Sequence, residues 1–185
     1  MSEGSNRRVP GALFAVSGVL YLVRGLMGLG SPVYYNPSTL LDYAAVVTTT
    51  LWMVALAAAT ASLALTRQIA GAARVVAWLP SAALAIGGIA NLLEDAFGMS
   101  ALGFAFGIGN ILTLVGLVVL GVSTLLDGRN DRVVGALLSL LGVAFALPAF
   151  GRTAGVPILC LVMAHVLAGR ADPSEEPESP QSRER

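Results

Sequence analysis

An all-α, polytopic integral membrane helix bundle is the fold this sequence predicts, and three observations predict it. Of the 185 residues, 56% are hydrophobic and only 12% carry charge, whereas soluble domains carry roughly 25% charged residues. Apolar runs approaching the ~20 residues needed to cross a bilayer recur along the whole chain. Acids and bases balance at net charge 0 and are interspersed, so no polyanion-binding surface is built. Disordered, disulfide-built and nucleic-acid-binding classes are excluded together.

Six runs satisfy the length test, at 9–30, 43–66, 74–97, 101–126, 132–149 and 153–169. The first follows Arg7-Arg8 in the manner of a signal peptide, but Arg24 interrupts it and no A-x-A site follows, so a retained helix is expected. The second carries Thr48-Thr49-Thr50, the third Pro80, and the fourth Gly103-x-x-x-Gly107, a close-packing pattern in lipid. The last two are short and parted only by Phe150-Gly151-Arg152; joined as one broken helix or a re-entrant pair, they leave five crossings instead of six. Pro157 kinks the sixth run. The membrane domain thus spans 9–170, preceded by a cytoplasmic segment 1–8 and followed by a disordered cytoplasmic tail, 171–185, rich in Pro, Ser and Glu.

Arginine sets the orientation, because short cytoplasmic loops retain positive charge. All 11 basic residues are Arg, a usage that fits a GC-rich bacterial genome and hence an inner (plasma) membrane. With the N-terminus inside, Arg7, Arg8, Arg67, Arg74, Arg129, Arg132, Arg170, Arg183 and Arg185 fall on the cytoplasmic side and only Arg152 on the other. That alternation supports six crossings with both termini inside, since five would put Arg170 and the tail outside. Tyr34, Tyr35 and Tyr43 flank the first outer loop, where aromatic rings favour the interface.

Few motifs carry chemistry. Cys160 is the single cysteine and His165 the single histidine, so no disulfide, metal site or cofactor is expected; Cys160 reads as a small buried apolar side chain and His165 as a packed or interfacial one. Asp127-Gly128 opens like the CDP-alcohol phosphotransferase signature, but the residues that must follow are absent, and 127–132 reads as a polar turn. Gly11-Ala12-Leu13 with Gly18 echoes Gly135-Ala136-Leu137 with Gly142. In a chain so rich in Gly, Ala and Leu, chance accounts for that echo more simply than a duplicated transporter does.

The informative residues are the ionisable groups inside apolar runs, each costing about 2.5 to 3.5 kcal/mol at a helix centre unless partnered. Arg24, Glu94 and Asp95 share the outer leaflet in the expected topology. Ser17, Tyr21, Arg24 and Gly28 lie on one face of the first helix, and Leu84, Gly87, Gly88, Asn91, Glu94 and Asp95 on one face of the third. Arg24 is therefore expected to pair with Glu94 or Asp95, with Asn91 adding a hydrogen bond; spacing does not choose between the acids. Thr49 and Asn110 stand at comparable depth and complete a polar pocket. The favoured function is binding or transport of a small solute or lipid there, with membrane lipids as surroundings and a lipophilic or small polar ligand. Two alternatives stay open: an enzyme using Glu94 or Asp95 as catalytic acid or base on a lipid-soluble substrate, and a structural or assembly protein. Oligomeric state is not legible.

Overall fold

Helices form wherever the apolar runs lie, and the breaks between them have local causes. The structure, a computed structural model, describes residues 3–30, 37–66, 69, 71–126, 132–147 and 149–169. The tail 171–185, Tyr34, Tyr35 and most of the polar turn at 127–132 lie outside them. Among the described residues the elements are α1 (Glu3–Gly30), α2 (Leu40–Leu65), α3 (Gly71–Val76), α4 (Trp78–Phe97), a 3-10 turn (Ser100–Leu102), α5 (Gly103–Leu126), α6 (Arg132–Ala146) and α7 (Ala149–Gly169).

α1 begins six residues before the apolar run expected at 9–30, since a helix propagates on its own backbone bonds whatever its side chains. α2 starts at a reciprocal cap: Thr39 accepts from the Asp42 backbone N–H, and Asp42 Oδ2 accepts from the Thr39 N–H at 2.9 Å. Its far end is finished by Arg74, whose Nε donates to the Ala64 carbonyl at 2.9 Å, a cation against the negative end of a helix. α3 and α4 follow one another through a single turn residue at Ala77. Gly98, with φ of 70°, ends α4 in the left-handed conformation that glycine adopts freely. α6 stops at Ala146, because Pro148 disfavours helical backbone at the residue before it. α7 starts at Ala149, so Phe150-Gly151-Arg152, expected to part the last two runs, is helix, and the break falls three residues earlier, after Ala146.

Four stretches are long and apolar enough to cross a membrane: Arg8–Gly28, Leu40–Leu65, Gly71–Phe97 and Ser100–Leu126. α6 and the Thr153–Gly169 part of α7 are shorter apolar helices; the 15 residues of α6 rise only about 22 Å.

The helices close a ring in chain order. α1 packs on α2, α2 on α4, α4 on α5, α5 on α6, α6 on α7, and α7 returns to α1. Neighbours run antiparallel, as shown by Thr60 meeting Ser81 on α2/α4 while Thr50 meets Gly88 a few turns on. The interior is filled by Phe14, Met53, Leu56, Leu84, Leu117, Leu138, Val156 and Met163, with Cys160 buried among them as expected. His165 is exposed on α7.

Small residues set the approach of the rods, though not where Gly103-x-x-x-Gly107 placed it. Around Gly107 there is open space, and Gly103 lies against the Glu94 carboxylate. The close crossings are elsewhere: Gly11, Gly18 and Gly25, seven apart on α1, face α7; Gly109 and Gly116 on α5 face Gly87 and Pro80 of α4; Gly121 of α5 faces Gly135 and Ser139 of α6. Sevenfold spacing keeps one side of a helix on its neighbour as the pair winds around each other.

Candidate polar site at the Arg24 end

At one end of the ring, α1, α4 and α6 finish and α2, α5 and α7 begin, and there Arg24, Glu94 and Asp95 lie. Arg24 is on the last turns of α1, one turn beyond Tyr21, whose ring meets Trp52 of α2 edge-on at 4.8 Å between centroids. Phe145 of α6 stacks on Trp52 at 5.8 Å and meets Tyr21 at 6.5 Å. This aromatic triad crosses the ring interior and forms a floor. Ser17, two turns deeper than Arg24, donates to the Trp52 carbonyl at 3.2 Å and fixes α1 against α2.

Above the floor, Arg24 Nε donates to Thr49 Oγ1 at 2.9 Å. Thr49 is prepared for this role by its own helix. Its hydroxyl hydrogen goes to the Ala45 carbonyl at 2.8 Å, leaving lone pairs turned toward the guanidinium. Thr48 bonds the Ala44 carbonyl in the same way at 2.6 Å. Thr50 reaches both Val46 on its own helix and Gly88 on α4, at 3.3 and 3.2 Å. The three threonines therefore join α2 to helices on both of its sides.

The expected partnership runs between helices that are not neighbours. α2 stands between α1 and α4 in the ring, and Thr49 of α2 holds the Arg24 Nε. Asp95 nevertheless lies within Coulombic reach of Arg24 and of its neighbour Glu94. The two acids diverge by the ~100° step of a helix. Glu94 follows Gly87 by seven residues and lies against Gly103 at the start of α5; Asp95 follows Gly88 by seven, on the side of α4 that meets α2. That divergence, invisible to spacing alone, singles out Asp95 as the acid facing the Arg24 side. Glu94 places its negative charge beside the positive end of α5.

Asn91 lies one turn deeper than both acids. It is 6% exposed, and among the described residues its Nδ2 has no hydrogen-bond partner. Placed between Gly87, which faces Met53 of α2 and more distantly Gly109 of α5, and the α2-facing Gly88, and in line with Leu84, which is 1% exposed, it lies on the buried side of α4. Asn110 has a local partner: its Nδ2 donates to the Phe106 carbonyl on its own helix at 3.1 Å. The structure thus brings together Arg24 and Thr49 directly, Asp95 through charge, and Asn91 by depth and facing.

The aromatic floor and the Asp42 cap were missed from sequence. Tyr21, three residues before Arg24, was visible on the same stripe; nothing in the sequence joins it to Phe145, which is 124 positions on, until the ring closes. Among the described residues no three His, Cys, Asp or Glu gather as metal ligands. Compared with protein-family models, curated proteins and solved structures, the chain matches none.

Proposed function

We propose that this is a multi-pass protein of a bacterial inner membrane, with six crossings and both termini cytoplasmic, whose Arg24 end opens to the outer leaflet and binds or moves a small solute or lipid. The observation that carries the reading is Asn91: a buried amide without a hydrogen-bond acceptor costs about 1–3 kcal/mol, and it sits beside the charged cluster where an incoming group would satisfy it. The apolar helices support the membrane setting, and the alternation of arginines supports the orientation.

The divergence of Glu94 and Asp95 leaves at most one of them facing a bound molecule, so an enzyme here would work with a single carboxyl as acid or base. Reconstitution separates the readings. In proteoliposomes, transport appears as solute uptake that collapses in Asp95→Asn and follows an imposed proton gradient. Conversion of a lipophilic substrate in detergent, with no gradient, marks an enzyme instead. If Asn91, Asp95 and Arg24 are all replaceable without loss of cellular phenotype, the end is structural and the binding reading fails.

A further inference from the structure

Resting on the reading of the Arg24 end as a ligand site, we infer that its ligand is a neutral, lipid-soluble molecule that presents a carbonyl-type oxygen to the Asn91 amide. The charge set argues this by elimination. Among the side chains described at this end, Glu94 and Asp95 stand with Arg24, which already donates to Thr49. A free anion entering between them meets two carboxylates. A cation finds the carboxylates, but also Arg24 and the amide hydrogens of Asn91, which repel it. A neutral acceptor meets neither objection and satisfies the buried Asn91 donor, which the described residues leave without a partner.

Apolar surface for the rest of such a ligand lies nearby. Tyr21, Trp52 and Phe145 lie one turn beneath Arg24 and Thr49, and Tyr21 and Phe145 are only partly buried. Rings at that depth take up an alkyl or flat apolar body while its polar head stays level with Asn91. The site therefore discriminates by head-group charge, with the floor contributing affinity common to every tail.

Three probes with one tail and three heads test this: methyl decanoate, decanoate and decylamine. The chain has two tryptophans, so Trp78→Phe leaves Trp52 in the floor as reporter, and its fluorescence is titrated in delipidated, detergent-solubilised protein. The expected result is saturable binding of the ester, with decanoate and decylammonium weaker by about tenfold or more. Asn91→Leu should remove the preference for the ester while leaving the shared affinity for the tail; Asn91→Ala serves if the first variant does not fold. Repeating the titration in phosphatidylcholine nanodiscs identifies the source of the acceptor. Unchanged ester binding marks a free amphiphile, and its loss marks the ester carbonyls of membrane lipids as the occupant. Decanoate or decylammonium binding as tightly as the ester overturns the inference and leaves a ligand site of another charge class. Absence of saturable binding by all three overturns both the inference and the functional reading beneath it.

Discussion

Asn91 and Thr49 show opposite uses of a polar side chain in an apolar bundle. Thr49 is satisfied twice, by its own helix and by Arg24; Asn91 keeps a donor that none of the described residues meets. Removing them should therefore act in opposite directions. Thr49→Val strips the acceptor from a charged donor and should destabilise the ligand-free protein by about 1.5–3 kcal/mol. Asn91→Leu, close in volume and free of the unmet donor, should leave thermal stability unchanged or raise it. Thermal unfolding of both variants, followed by circular dichroism in one detergent, checks the pair. A large loss of stability in Asn91→Leu would show that the amide is engaged after all.

Between helices, the decisive contacts are made by residues with almost no side chain. A Cβ on Gly121 would meet the Ser139 backbone nitrogen at 2.5 Å and the Gly135 carbonyl at 2.6 Å. Backbone cannot turn aside as a flexible side chain can, so Gly121→Ala should push α5 from α6 and destabilise by about 1–3 kcal/mol. Gly107, on the same helix with open space around it, should gain up to about 1 kcal/mol as Gly107→Ala from helix propensity alone. Gly103→Ala belongs between them, because only the movable Glu94 carboxylate stands in its way. Equal effects at Gly107 and Gly121 would refute the assignment of the α5/α6 crossing. Spacing alone points to Gly103 and Gly107; which side of α5 each faces depends on where α4 and α6 stand around it.

Closure of the ring through α1 and α7 holds the molecule together across the longest stretch of chain, and it can be tested covalently. A Cβ at position 18 would lie 2.9 Å from the Cβ of Cys160, slightly inside the ~3.5–4.5 Å of a disulfide and reachable by a small outward shift. Gly18→Cys should form an intrachain crosslink to Cys160 on mild oxidation, seen as a mobility shift abolished by Cys160→Ser. Reporter fusions after residues 36, 70, 99, 129, 151 and 172 test the topology of the same assembly; a periplasmic signal after 172 would remove one crossing and put the tail outside. The helical class, the positions of the long apolar helices and the concentration of charge at Arg24, Glu94 and Asp95 were all legible in the sequence. Hydropathy, helix periodicity and the cost of charge in lipid are properties of short stretches of chain. The partner of each charge was decided only when the ring closed. α2 came to stand between Arg24 and α4, Asp95 turned one way and Glu94 the other, and Phe145 reached Trp52, because contacts between distant segments depend on the order in which helices pack, and periodicity along one helix carries no record of its neighbours.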